Sequence, residues 1–176
     1  WRRTELEAIV VAAGFEPSLL PLIKDKPKAM LDIRGRSILE RQIETLNACN
    51  IKDVAVVRGY KKEAFTLNQP RYYDNDDYET TGELHSLFCA EPELKGRTVI
   101  LYSDVLFDHG ILEKLLKAEG DVNIVVDRAW IDAQKNGTAP ERPYEDLVVT
   151  EHPPTGGYRY LPGESSTRLL RIRHPL

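Results

Sequence analysis

Leu6-Glu7-Ala8-Ile9-Val10-Val11-Ala12-Ala13-Gly14 is the stretch that decides the fold. It is apolar and β-branched, lacks the alternation of a half-solvated strand, and ends in small residues. Such a strand is buried on both faces, as in the middle of a parallel sheet. Outward from it runs a polar loop carrying Pro17, Pro21 and Pro27, then a short extended piece over 29–33 turned by Arg34-Gly35-Arg36. Ser37-Ile38-Leu39-Glu40 has the spacing of a capping box. Behind it Ile38, Leu39, Gln42, Ile43, Leu46 and Ala48 recur as one helical face.

The strand–helix pattern then repeats. Strands are predicted over 54–57, 71–73, 98–101 and 122–126, and helices over 61–67, 82–90 and 109–118. The alternation implies right-handed βαβ units: an α/β fold with a mixed, mostly parallel sheet flanked by helices. Residues 131–176 are rich in Pro, Gly, Thr and Glu and read as a loop-rich antiparallel excursion, with extended pieces at 147–149, 158–161 and 169–172. One domain over 1–176, with its core in 6–130, is the expectation at this length. The chain opens on Trp1, not Met, which reads as the inside of a longer polypeptide.

Composition removes several function classes. With 24 Lys and Arg against 28 Asp and Glu the net charge is -4, so no nucleic-acid partner held by bulk charge is expected. Cys49 and Cys89 are too few for a disulfide framework or a four-thiolate zinc site, and their apolar neighbours predict buried thiols. No apolar run approaches the ~18 residues of a membrane span, and no signal peptide is legible, so a cytoplasmic location is expected. His85, His109, His152 and His174 lack metal-ligand spacing. A P-loop, a Gly-x-Gly-x-x-Gly turn and a Gly-x-Ser-x-Gly elbow are all missing from the sequence.

Ligands of an open parallel sheet gather at the carboxyl ends of its strands. There the sequence places Ala12-Ala13-Gly14, Ser103-Asp104 and Asp127-Arg128, with Thr81-Gly82-Glu83 facing the same edge. Ala12, Ala13 and Gly14 would let a phosphate approach backbone N–H groups, or would form a tight strand exit. Lys28, behind Pro27, reads as a cation for a phosphate or as a solvated lysine. Asp104 reads as a hard ligand for Mg²⁺, or as an Asx turn or helix cap. Asp127 is its weaker counterpart, with an ion pair to Arg128 or a turn as the alternative.

Together these residues carry a resemblance. Ala8 to Gly14, then Pro21-Leu22, then Lys26-Pro27-Lys28-Ala29-Met30-Leu31 are similar to the opening of sugar-phosphate and phosphocholine nucleotidyltransferases, roughly L-A-A-G-x-G-x-R-L-x-P-L…P-K-x-L-L. Val57-Arg58-Gly59-Tyr60, Thr81 to Leu87, Tyr102 to Asp108 and Val125 to Trp130 resemble the cytidylyltransferase branch acting on phosphocholine and phosphonates, often fused to a phosphoenolpyruvate mutase.

The resemblance implies a Rossmann-like (GT-A-like) nucleotidyltransferase fold. Its activity would be transfer of CMP from CTP to 2-hydroxyethylphosphonate or 2-aminoethylphosphonate, releasing pyrophosphate, as in phosphonate-antibiotic (fosfomycin-type) biosynthesis. Phosphocholine or sugar-1-phosphate acceptors, and a degenerate non-catalytic nucleotide-binding module, are the alternatives. It also implies nucleotide contacts from Ala12, Ala13, Gly14, Lys28 and Ser103, cytosine near Gly82 and Ser86, and catalytic roles for Lys28 and Asp104, the latter holding Mg²⁺. The acceptor pocket would lie toward Asp127, Arg128 and Trp130, with Tyr144 or Tyr158 completing an aromatic cage for a trimethylammonium group. A mutase fusion and a homo-oligomer are left open. This chain departs from the pattern in one loop. Glu16 and Ser18 stand where the family has a second Gly and an Arg, and Arg34, Arg36 or Lys26 would have to substitute.

Overall fold

The computed structural model describes residues 6–125 with their side chains, and the strands at 147–150 and 169–173. The chain divides into two compact units, Trp1–Leu112 and Glu113–Leu176.

The first unit is built on four parallel strands: β1 (Glu7–Ala12), β2 (Asp53–Arg58), β3 (Arg71–Asp74) and β4 (Thr98–Tyr102), in the order β3-β2-β1-β4. Ala8, Ile9 and Val10 of β1 and Val56 and Val57 of β2 are fully buried, as a double-sided apolar run requires. Ile9, Ala13, Ala55, Val57 and Ala90 make one core cluster, with Leu87 and Cys89 of helix α2 (Glu83–Cys89) packed against it. By strand alternation Ala8, Val10, Val54 and Val56 face the other way, and the right-handed crossover rule puts helix α1 (Ile38–Ala48), which joins β1 to β2, on that opposite face.

The capping box forms as its spacing predicts. Ser37 Oγ accepts from the Glu40 N–H at 3.2 Å, and the Glu40 carboxylate accepts from the Ser37 N–H at 2.6 Å. Leu39, Gln42, Ile43 and Leu46 are buried behind it, whereas Ala48 is exposed.

Four expectations are corrected. Residues 29–33 are extended only in part: Lys28–Met30 is a 3-10 turn, while Leu31 is extended and Asp32 bridges back to Ser37. The segment 61–67 is not a helix. A 3-10 turn, Lys62–Ala64, follows Lys61 in the left-handed region (φ 50), and its few apolar side chains give a longer helix no face to bury. Residues 122–125 of the strand expected over 122–126 carry no strand, and Val122, Ile124 and Val125 are exposed: among the described residues their apolar content has no ladder partner. Cys49 and Cys89 are half-buried, not fully buried.

A third helix, α3, spans His109–Lys117. In the second unit β5 (Leu147–Thr150) and β6 (Leu169–Arg173) pair antiparallel, as that region's composition predicts. The expected piece at 158–161 lies outside the described residues.

Candidate active site

From β1 the chain steps to β2 and β3 on one side and to β4 on the other, so the order reverses between β1 and β4. A crevice opens at such a switch point, outside the carboxyl ends of the strands. The register Val11↔Tyr102 aligns the two exits, and the Ser103 N–H donates to the Val11 carbonyl at 3.2 Å. Ala12-Ala13-Gly14 and Ser103-Asp104 therefore leave the sheet side by side.

Lys28 arrives there from 76 residues away in sequence. Its ammonium donates to Asp104 Oδ2 at 2.9 Å, with side chains 23% and 49% exposed respectively. Lys28 is thus paired, not simply solvated. The helix-cap alternative for Asp104 goes to Asp108, whose Oδ1 accepts from the Ile111 N–H at 2.9 Å. Gly14 has open space where a side chain would stand, while Ala12 and Ala13 are buried.

The loop after Gly14 is closed by its departing residues. The Glu16 carboxylate accepts from Ser18 Oγ at 2.7 Å and from the Ser18 N–H at 3.3 Å. These two bonds hold its pKa below the ordinary carboxylate value. Lys28 adds a smaller pull the same way, and Asp104 opposes it. Glu16 is therefore ionised at neutral pH. Two carboxylates face one ammonium, an unfriendly setting for a triphosphate unless a divalent cation joins it. An accessible carboxylate such as Asp104 suits Mg²⁺, which keeps its waters and shares itself between one or two carboxylates and substrate phosphates. Among the described residues no cluster of three or more His, Cys, Asp or Glu forms an all-protein cage. The donor set fits a metal carried in with a nucleotide. Of the arginines expected to stand in for the missing loop Arg, Arg36 is paired with Glu44 on α1.

The β3–α2 loop borders the same edge through the Asn75 N–H, which donates to the Arg58 carbonyl at 2.7 Å. Asn75 is buried, and its amide donates to Thr81 Oγ1 and to Ser86 Oγ, each at 3.0 Å. Ser86 Oγ also reaches the Gly82 carbonyl at 3.3 Å. Ser86 thus shapes the turn from within, while Gly82 is exposed with open space above it. Sequence reading missed Asn75: a single asparagine after a strand looks like any turn residue.

An aromatic row was missed as well. Phe15 lies against Tyr60 (centroids 4.7 Å apart), and Tyr60 meets Tyr78 edge-on at 6.3 Å. Tyr60 Oη ties the loop that follows β1 down by donating to the Ile23 carbonyl at 3.0 Å. Gly59 lets these parts close. A Cβ there would stand 2.7 Å from the Ala13 carbonyl oxygen and 2.8 Å from Tyr78 Cβ. That carbonyl cannot retreat without losing the Tyr60 N–H bond of 2.9 Å. Gly59→Ala is expected to cost about 1–3 kcal/mol through overpacking; thermal denaturation beside the parent protein measures it. Asp127, Arg128, Trp130, Tyr144 and Tyr158 lie outside the described residues.

Comparison with known proteins adds the following. A model of the MobA-like NTP transferase domain matches residues 8–161. The CTP:phosphoglutamine cytidylyltransferase of Campylobacter jejuni is 34% identical over 164 residues, which are 87% of this chain and 63% of that protein. The 2-aminoethylphosphonate cytidylyltransferase of Lancefieldella rimae is 30% identical over 105 residues, 56% of this chain and 43% of that one. A solved structure of the CTP:phosphocholine cytidylyltransferase of Streptococcus pneumoniae superposes with a TM-score of 0.54 at 29% identity, covering 60% of this chain and 50% of that chain. The chain thus spans less than two thirds of the length of either of these two curated relatives.

Proposed function

Because this chain belongs to the MobA-like NTP transferase domain family, with its Rossmann-like nucleotidyltransferase fold, we propose that it transfers CMP from CTP to a small phosphate- or phosphonate-bearing acceptor, releasing pyrophosphate. The single nucleotidyltransferase domain over 1–176 is part of this proposal. The observation that carries it is the Lys28–Asp104 contact at the β1/β4 switch point, where the two groups nucleotidyl transfer most needs converge from opposite ends of the first unit.

The acceptor oxygen attacks the α-phosphorus of CTP, a new O–P bond forms, and the bond to the bridging oxygen of the leaving pyrophosphate breaks. Phosphate monoesters and phosphonates are largely ionised near neutral pH, so no strong base need take a proton. Lys28 exchanges its carboxylate partner for a phosphate oxygen and neutralises the charge that builds there. Gly14, open above its backbone, lets the triphosphate come close. Asp104 would hold Mg²⁺, which when bound polarises the phosphates and screens their charge. Positioning in line supplies much of the remaining acceleration.

The acceptor is a 2-carbon phosphonate in the reading favoured by the Thr81-Gly82-Glu83-Leu84 and Ser103-Asp104-Val105 segments. A phosphorylated amide such as phosphoglutamine is the alternative raised by the Campylobacter relative. Pyrophosphate release is the test, with each NTP against 2-hydroxyethylphosphonate, 2-aminoethylphosphonate, phosphoglutamine, phosphocholine and a sugar 1-phosphate. CTP with one acceptor is expected to dominate. Another NTP preferred would replace the cytidylyl reading, and no release with any pair under Mg²⁺ would leave a binding module.

A further inference from the structure

Gln42 is an amide in the middle of the apolar face of α1, 1% exposed, between Leu39, Ile43 and Leu46. Its Nε2 donates to the Tyr102 carbonyl and to the Val105 carbonyl, each at 2.7 Å. Two carbonyl acceptors fix which end of the amide is nitrogen. Its Oε1 is buried with no partner among the described residues. An orphaned buried acceptor costs about 1–3 kcal/mol, about what the two donated bonds return, so the amide adds little net stability to the core. The two carbonyls it grips flank Ser103 and Asp104, so the amide holds from the helix side a turn that the Ser103 N–H to Val11 carbonyl bond holds from the sheet side. The Val105 N–H reaches the Tyr102 carbonyl only at 3.4 Å, and Asp104, Val105 and Leu106 are exposed.

We infer that Gln42 is a positioning residue: it fixes the turn that presents Asp104 to the metal–nucleotide complex, and so sets metal-dependent nucleotide affinity without touching either ligand. This rests on the reading of Asp104 given above. A side chain buried on α1 reaches the site only through the backbone of residues 102–105, so its loss loosens the placement of one carboxylate. The glycine exit of β1 stays as it is, and Lys28 keeps its own backbone support in the Lys28–Met30 turn.

The experiment compares CTP affinity, by isothermal titration, in Mg²⁺ and in EDTA for the parent chain, Gln42→Met and Gln42→Glu. Methionine keeps the volume, removes the orphaned oxygen and abolishes both donors. Glutamate keeps the length but sets a carboxylate against the two carbonyls. Both variants are expected to lose about tenfold of the gain in CTP affinity that Mg²⁺ confers, with CTP affinity in EDTA within twofold of the parent. A gain left intact in either folded variant overturns the inference, as does an equal loss with and without metal, which marks a merely structural role. If the parent itself shows no metal-dependent gain, the reading of Asp104 fails first.

Discussion

Asp104→Asn is expected to lower turnover about 10²–10³-fold in the pyrophosphate-release assay while the protein stays folded. The size follows from what the carboxylate does: a group that anchors the counter-charge of a reacting triphosphate acts where charge develops, and losing one such group costs about 3–4 kcal/mol of transition-state stabilisation. The fold has little at stake. Asp104 is half exposed, and its ion pair with Lys28 is of the solvent-screened kind worth at most about 1 kcal/mol, so the melting temperature should move by only a few degrees. Lys28→Met should be similarly damaging, and the double variant less damaging than the product of the two, because both act on one triphosphate. Turnover by Asp104→Asn within tenfold of the parent would remove Asp104 from the mechanism.

Such separation of chemistry from stability is also what made the site legible in sequence. β1 announces itself because burial on both faces demands an unbroken apolar run. Asp104 stands out because it is a carboxylate beyond a second apolar run, Val99-Ile100-Leu101, although a turn or cap role fits the same pattern and the strand itself leaves Ile100 and Tyr102 exposed. Gln42 could not be found that way. Helical periodicity counts it as one more position on a buried face, and only the three-dimensional neighbourhood shows that its amide grips a turn 60 residues on. A polar residue on an apolar stripe was the available signal. Asn75 hides for a related reason, and Gly59, legible as a motif glycine, hides its close approach: their value lies in contacts with Ser86 and with the Ala13 carbonyl, which local sequence does not encode. The overread helix at 61–67 and strand at 122–126 fail in the opposite direction. Apolar composition is necessary for an element, but a partner surface decides whether it forms.

At the other end of the sheet Arg71→Ala is expected to destabilise the protein by about 3 kcal/mol at neutral pH and lower its melting temperature by about 6–12 °C, with the turnover of folded molecules unchanged. Arg71 opens β3 and donates from Nε and Nη2 to the two oxygens of Glu93, at 3.0 and 2.6 Å. It also pairs with Asp53 at the start of β2. Glu93 is 6% exposed and takes a further bond from Tyr73 Oη, so removing the guanidinium strands a buried carboxylate. Arg71 itself is half exposed, which holds the cost to the low end for a broken buried pair.

The pH dependence gives the sharper test. The Arg71 hydrogen bonds are the main reason the Glu93 pKa lies below its ordinary 4.5, against the opposing effect of burial. A lowered carboxylate contributes stability above that ordinary value, and the contribution drains as pH falls through the folded-state pKa. Without Arg71, burial is the largest cause left and is opposed only by Tyr73 and Lys95, so the main source of the lowering, and with it the stability that Glu93 adds above 4.5, is lost. Glu7 works in the same direction. Its pKa is already raised, first by burial and then by Asp53 and Glu93, and Arg71 is one of the charges holding it down. The deficit of Arg71→Ala should therefore be greatest near pH 7 and shrink on acidification toward pH 4, as read by urea denaturation across that range. A deficit independent of pH would mean that the guanidinium acts through packing, with no hold on the Glu93 charge.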